Sequence, residues 1–447
     1  MDDAVADLVR LGALEKRFGF LRSFDCVVLA VSGGGDSTAL MRLVHLWARQ
    51  SGFDLDRIEV ATVDHRLRPG SGEEADAVNR DANQLGLRHS TLVWQGRKPQ
   101  QGIQNAAREA RYKLLHGLAR ARDGRGVIVT AHTVDDQAET VLMRLARGSG
   151  PDGLAAVPVS STVGETALFR PLLDVTHATL LAFLQSQQAA WIEDPTNDER
   201  AFERIRIRQA GDARSALGLS DAALVRTARR MARARQALEA SVDDAVQRLC
   251  TNMDELRFGV VRWPEACGAL PDEIAIRLLR RVIHALGGQA ALPQLGQIEK
   301  CHLQLNDSEY PGGTLCGVRL MPVPGDGGGI MLFREVGRSG LEHQSWDAQR
   351  PLVWDRRFKI ERTGAAVPGG FTVKACGGEA LAQFGADQAP DLPVRLPREV
   401  KWTLPAIWDD DRAVSIPSLG LHRAGYRFTA QFLQNRLIAS LPDRTND

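Results

Sequence analysis

The chain has 447 residues, 44% hydrophobic and 25% charged, with a net charge of +1; that is too long for one ordinary domain, predicts two or three, and excludes a polycation or a low-complexity chain. No apolar run approaches the roughly 20 residues that span a bilayer, and the acidic start from Met1 to Asp7 lacks the apolar segment of a signal peptide. Six scattered cysteines (26, 250, 267, 301, 316 and 376) include no C-x-x-C pair, which argues against a disulfide framework or zinc ribbon and for a reduced, cytoplasmic protein with no membrane partner.

In chain order, residues 1–25 read as a short helix leading into the first strand. Val27 to Val31 is short, apolar and β-branched, the pattern of a buried parallel strand. Ser32-Gly33-Gly34-Gly35-Asp36-Ser37 follows at once, and from Thr38 the apolar Leu40, Leu43, Val44 and Trp47 recur at helical spacing. Strand, glycine turn and helix present free backbone N–H groups to an anion at a helix N-terminus. Ser32 and Ser37 add hydroxyl donors, whereas Asp36 beside a phosphate needs a cation or a hydrogen bond to offset its charge. An ordinary glycine turn capped by Ser and Asp is the plainer alternative. No G-x-x-x-x-G-K-[ST] occurs, and Thr38 stands where a dinucleotide fingerprint needs its third glycine.

Further strands are expected at Ile58–Val63, His89–Trp94 and Val127–Thr130, alternating with helices to about Leu85, over Asn105–Arg122 and to about Arg147. The alternation predicts an α/β fold with a doubly wound parallel sheet. Ligands of such sheets bind beyond the carboxyl ends of the strands. Three distinctive segments start there, at 32–37, 64–69 and 131–140, which argues for one shared site.

Within it, Asp135 and Asp136 at the mouth of a helix suit capping, and with Glu139 they equally suit Mg²⁺ near a triphosphate or a general base for an attacking amine. His65 and His132 sit at strand ends, in reach of a nucleotide. Arg108 and Arg111 are three residues apart, on one helix face, fit to clamp phosphates. Ten arginines lie between Arg200 and Arg235, against Glu203, Asp212 and Asp221; they form either a phosphate-backbone surface or a solvated helix face.

Beyond Gly148–Gly153, Arg170-Pro171-Leu172-Leu173 leads into another helix, and Glu193-Asp194-Pro195-Thr196-Asn197 forms a turn. Helical segments are expected over Asp221–Glu239 and Glu273–Leu286, then β-structure over Gly313–Leu320 and Ile330–Phe333 about a hairpin turn near 322–329. After about 340 the chain reads as β-rich, with Trp346, Trp354, Trp402 and Trp408. The expected division is 1–215 for the α/β domain that carries the glycine loop, 216–338 for a mostly helical middle domain and 339–447 for a small β-rich domain.

S-G-G-x-D-S after an apolar strand resembles the pyrophosphate loop of the PP-loop ATPases, which split ATP into AMP and pyrophosphate. SGGGDS, VDHRLRP, AAREARY, AHTVDDQAETVLMRLARGSG, RPLL and EDPTN together occur in the order and spacing of tRNA(Ile)-lysidine synthases, densely over 27–208 and more loosely over 312–320 and 404–420. That resemblance implies an ATP- and Mg²⁺-dependent ligase joining L-lysine to C2 of the wobble cytidine of a CAU-anticodon tRNA(Ile). The base is adenylated first, pyrophosphate leaves, and the lysine amine displaces AMP.

It implies that Ser32, Gly33, Gly34, Gly35, Asp36 and Ser37 bind ATP, together with His65, Arg111 and His132. Catalysis falls to Asp36, Asp135, Asp136 and Arg108. Glu139, Arg204 and Arg208 face the substrates, and Mg²⁺ falls to Asp36 and Asp135. A homodimer is compatible with the sequence. Two positions depart from the family pattern: Ile205 follows Arg204 where the family often has Asn, and His177 stands where an arginine is common. The rivals are a PP-loop tRNA-thiolation enzyme, which usually needs paired cysteines where Cys26 is the only one before 250; a non-catalytic tRNA-binding protein; and an ammonia-using amidotransferase-coupled synthetase, for which no cysteine has a nucleophile's context.

Overall fold

The computed structural model describes residues 3–67, 70–99, 101–121, 124–193, 206–207, 211–250, 252–307, 309–323, 329–364, 369–385, 395–433 and 437. They divide into two compact units, Met1–Arg235 and Gln236–Pro442.

The first unit is built on six strands: β1 (Cys26–Ala30), β2 (Ile58–Asp64), β3 (Arg88–Val93), β4 (Gly126–Val129), β5 (Ser160–Val163) and β6 (Thr166–Phe169), in the spatial order β3-β2-β1-β4-β6-β5. All neighbours run parallel except β5 and β6. That antiparallel edge pair is absent from the sequence reading, because Ser160–Phe169 is short and has no sustained alternation, and β6 joins the sheet through its pairing with the distant β4.

Alternation along β1 assigns the two faces of the sheet. Val27 and Leu29 pack into a core with α1 (Asp3–Val9), α2 (Leu11–Phe18), α3 (Gly35–Ser51) and α8 (His177–Ser186). Cys26 and Val28 face α5 (Ile103–Arg120) through Tyr112, Leu115 and Ala119. The remaining helices described between β2 and α8 are α4 (Ser71–Gln84), α6 (Val134–Ala146) and α7 (Pro151–Leu154). The amino-terminal segment is two helices and a 3-10 turn at Gly19–Ser23 instead of one helix. After α9 (Gly211–Ala216), the helix expected over Asp221–Glu239 extends as α10 from Asp221 to Leu249, 29 residues.

The second unit holds three antiparallel sheets. The first has the order β7-β10-β9-β8, from Val260–Trp263, Ile330–Arg334, Val318–Pro322 and Gly313–Leu315. Its β9–β10 pair is the expected hairpin, with residues 324–328 of the turn outside the described set. The other two are a five-stranded and a three-stranded sheet formed within 344–432. Among the described residues, the helices Gly377–Phe384 and Arg398–Trp402 lie within this β-rich part, and Trp402 is helical. One continuous core runs from Val242 to Leu437, and the expected boundary at 338/339 falls inside this unit.

Buried charge inside the second unit is paired. Arg281, fully buried, donates to Asp243 and Glu239, and Arg277 reaches Glu239 at 2.7 Å. Arg357, also fully buried, donates to Asp355 at 2.6 Å and to the Thr403 carbonyl at 2.8 Å, while Arg334 approaches the same carboxylate at 3.0 Å. All six cysteines are free thiols. Among the described residues no helix is long and apolar enough to cross a membrane.

Candidate active site

The loop after β1 is shaped by contacts that only glycine tolerates. Gly33 has φ +92°, and a Cβ there would lie 2.6 Å from Ile192 Cδ1 and 3.2 Å from Val78 Cγ2. The Ile192 N–H donates to the Gly33 carbonyl at 2.9 Å, so the segment after α8 folds back over the loop. At Gly35 a Cβ would stand 2.5 Å from Leu181 Cδ2. Gly34 differs: only Ser32 Oγ, at 3.8 Å, comes near a Cβ built there. The open side of the loop is therefore at Gly34, where a ligand can come against backbone.

Gly34 is also the N-cap of α3, extended (φ −66°, ψ 160°), and no side chain caps that helix end. Internal bonds brace the loop instead. Ser37 Oγ donates to the Gly34 carbonyl at 2.9 Å and accepts from the Ser32 N–H at 3.2 Å, and Thr38 Oγ1 donates to the Gly33 carbonyl at 3.1 Å. Ser32 is exposed, Ser37 buried.

Three helix N-termini converge on a pair of carboxylates. Asp36 lies in the first turn of α3, Asp135 in the first turn of α6, and His177 is the first residue of α8. His177 Nδ1 is 2.7 Å from Asp36 Oδ1, and the His177 backbone N–H donates to Asp135 Oδ2 at 2.8 Å. The sequence marks His177 only as a departure from a family pattern; its link to both carboxylates comes from the packing of α3 against α8 and from the hydrogen bonds that tie the start of α6 to Val175 and His177.

The two adjacent aspartates separate cleanly. Asp136 closes a capping box with Thr133: its Oδ2 accepts the Thr133 N–H at 2.9 Å and lies 3.2 Å from Thr133 Oγ1. It is held within its own helix end, whereas Asp135 points to another helix. Glu139, four residues after Asp135 and so on the same face, is buried at 3% exposure. His132 Nδ1 is 2.9 Å from Thr130 Oγ1.

A cationic cluster forms around α5. The Arg108 and Arg111 guanidiniums each sit 5.1 Å from the Tyr112 ring centroid. Burial pushes the Tyr112 hydroxyl up, but the charges of Arg111, Arg108 and Arg170 outweigh it and hold the group below its usual value. Arg170, buried, is fastened to the Pro158 carbonyl at 2.9 Å and Ser161 Oγ at 3.0 Å. Arg111 also acts on His65 at the end of β2. Burial first, then the charges of Arg111 and Lys98, keep that imidazole below its ordinary value, hence neutral near pH 7. His65 meets the Trp94 ring edge-on at 5.8 Å, and Lys98 Nζ lies 3.7 Å over the same ring. Tyr112 and Arg170 lie in the AAREARY and RPLL motifs but are assigned no role from the sequence, and Trp94 and Lys98 look like ordinary core or surface until β2, β3 and α5 come together.

Asp36, Asp135, the 32–37 loop and the residues of α6 are thus brought together, and Arg111 is brought into electrostatic reach of His65. Arg204, Arg208 and Asp194 to Asn197 lie outside the described residues. Among the described residues no group of three or more His, Cys, Asp or Glu side chains could hold a metal ion, so a cation here would rest on the one or two carboxylates, with phosphate oxygens completing its shell.

Residues 10–210 match the family model described as a PP-loop domain. A tRNA(Ile)-lysidine synthase of Bradyrhizobium diazoefficiens is 44% identical over 294 residues, covering 63% of this chain and 78% of that protein. One of Ruegeria pomeroyi is 36% identical over 402 residues, covering 88% of each, and one of Anaplasma marginale is 29% identical over 425 residues, covering 92% of this chain and 88% of that protein. Among solved structures, a U34-tRNA thiolase NcsA from Methanococcus maripaludis aligns with 52% of this chain and 80% of its own at 15% identity and a TM-score of 0.43, too slight a likeness to bear on function.

Proposed function

The chain belongs to the tRNA(Ile)-lysidine synthase family, an ATP-binding C–N ligase, and from that membership we propose that it joins L-lysine to C2 of the wobble cytidine of CAU-anticodon tRNA(Ile). In the first step the cytidine O2 attacks the ATP α-phosphorus, and pyrophosphate leaves. In the second the lysine amine attacks C2, the C–O bond to AMP breaks, and one amine proton passes to a carboxylate base. The observation that carries this reading is the convergence of Asp36 and Asp135 on His177 beside a glycine loop that is open at Gly34.

Ser32, Gly33, Gly34, Gly35 and Ser37 hold the pyrophosphate half of ATP against the N-terminus of α3, with the helix dipole and free N–H groups favouring the anion. His65, neutral, and His132 face the nucleotide. Arg111 and Arg108 offset charge on the phosphates and the adenylated base. Mg²⁺, held by Asp36 and Asp135, neutralises phosphate charge when bound. Asp135 takes the amine proton, Asp136 fixes the helix that carries Asp135, and Glu139 supplies negative charge for the lysine ammonium. Arg204 and Arg208 complete the substrate side. The three-domain division at 215/216 and 338/339 is retained as our proposal, with the two later domains binding tRNA. The same holds for a homodimer and for a cytoplasmic location.

The test is incubation with ATP, Mg²⁺, labelled lysine and a CAU-anticodon tRNA transcript. Label is expected on the RNA, dependent on the wobble cytidine and lost in Asp36→Ala. AMP formation with another tRNA but no lysine incorporation overturns the substrate; no AMP under any condition favours a non-catalytic RNA-binding protein.

A further inference from the structure

We infer that His177 is a positioning residue that holds Asp36 and Asp135 at the spacing needed to take up MgATP, one through its ring and the other through its backbone. The inference rests on the proposed reading only for the identity of the ligand. The observation itself is that one residue at the head of α8 makes both contacts, 2.7 Å to Asp36 and 2.8 Å to Asp135.

Asp36 and Asp135 each lie in the first turn of a different helix and both bond to His177, so without a cation two like charges are held beside one residue. Asp36 is partly exposed, 30% by side chain, so burial alone does not fix its rotamer. The ring of His177 lies between the helix ends: Nδ1 restrains Asp36, and a Cβ on Gly35 would come within 3.9 Å of its Cε1. Asp135 is restrained differently. The first N–H groups of any helix lack intrahelical acceptors, and at α8 Thr176 caps only the N–H of Thr179, at 3.2 Å. The N–H of His177 is thus available as a donor that Asp135 uses. The acidic pair is organised before a ligand arrives, which lowers the cost of binding it.

Because the two contacts use different atoms, they can be removed separately. His177→Ala deletes the ring contact and keeps the N–H. His177→Asn restores a donor near the position of Nδ1, whereas His177→Gln offers its amide one methylene further out. His177→Pro deletes both. Proline is accepted at the first helical position, and the extended Thr176 (φ −80°, ψ 151°) already suits a following proline.

The experiment measures MgATP binding by equilibrium dialysis on the full chain, without tRNA or lysine, together with the melting temperature of each variant. His177→Ala is expected to weaken MgATP about tenfold, the loss of one hydrogen bond to a charged group. His177→Asn should bind within about threefold of wild type, His177→Gln like Ala, and His177→Pro more weakly than Ala, with melting temperatures close to wild type. Three results overturn the inference: wild-type binding by His177→Ala, equal recovery by Gln and Asn, or unfolding of every variant including Asn, which would make the residue purely structural. Lysine incorporation by the wild-type protein, run in parallel, tests the ligase reading independently.

Discussion

Asp135 caps a helix to which it does not belong: its Oδ2 accepts the backbone N–H of His177, 42 residues further along the chain, at 2.8 Å. Its neighbour Asp136 is spent locally, in the capping box with Thr133. The adjacent carboxylates therefore predict opposite phenotypes. Asp136→Ala should cost about 1 kcal/mol of stability, the usual loss of an N-cap, and Asp136→Asn should keep most activity because an amide oxygen still accepts from Thr133. Asp135→Asn keeps an acceptor for His177 and so should fold, but without a base it should lose lysine incorporation by about 100-fold or more, within the range general-base catalysis contributes. Equal activity losses in Asp135→Asn and Asp136→Asn would contradict the separation.

The three loop glycines should not fail alike. Gly33→Ala forces a φ of +92° on alanine and drives a methyl to 2.6 Å from Ile192, so its melting temperature should fall. Gly34→Ala meets nothing closer than 3.8 Å and should melt like wild type while losing ATP binding, because the methyl occupies the space a phosphate needs. Thermal melts with and without MgATP distinguish the two: wild-type ATP stabilisation in Gly34→Ala would move the nucleotide elsewhere.

On α10, Arg226, Arg230 and Arg233 recur at four- and three-residue spacing and are exposed, with Arg229 exposed beside them. If this stripe meets RNA phosphates, tRNA affinity falls steeply with salt, and each arginine removed lowers the log–log salt slope by about one. A filter-binding series of Arg226→Gln and Arg230→Gln between low and moderate salt checks it. Unchanged slopes would leave the stripe a solvated helix face.

Asp355 neutralises two arginines at once, Arg334 and the fully buried Arg357, whose guanidinium burial pulls down to about 10 despite the carboxylate. Removing the carboxylate strands a charge with no water to receive it. Asp355→Ala should therefore destabilise by about 3–5 kcal/mol, read as a shift of the urea midpoint. A change below about 1 kcal/mol would mean that Arg357 reaches solvent when its partner is lost.

Stability should decline on the acid side. Burial lowers His65, helped by Arg111 and Lys98; it also lowers His89, against the pull of Glu59 and Asp76. With folded values below the ordinary 6.5, the unfolded chain binds more protons in between, so stability is full above 6.5 and is lost as pH falls through the folded values. Melting temperature should be level above about pH 7 and drop toward pH 5.5. His65→Asn should make that drop shallower, and an unaltered slope would mean that His65 is not desolvated.

What the sequence determined was local and periodic. The apolar run at Val27–Val31, the glycine turn and the 3.6-residue spacing after Thr38 each depend on residues a few positions apart, so strand, loop and helix followed from the chain, with the strand one residue earlier than expected. Helix–strand alternation likewise gave the doubly wound sheet and put the 32–37, 64–69 and 131–140 segments at carboxyl ends of strands. The antiparallel edge pair at Ser160–Phe169 and the helical Trp402 were invisible, because short segments take their form from neighbours more than from propensity. Only the tertiary structure decided which aspartate caps its own helix and which reaches across, that Ile192 closes over Gly33, and that His177 joins Asp36 to Asp135. The capping box of Asp136 spans only three residues, but the Asp135–His177, Asp36–His177 and Gly33–Ile192 contacts join residues 42 or more apart in the chain, which no local pattern encodes.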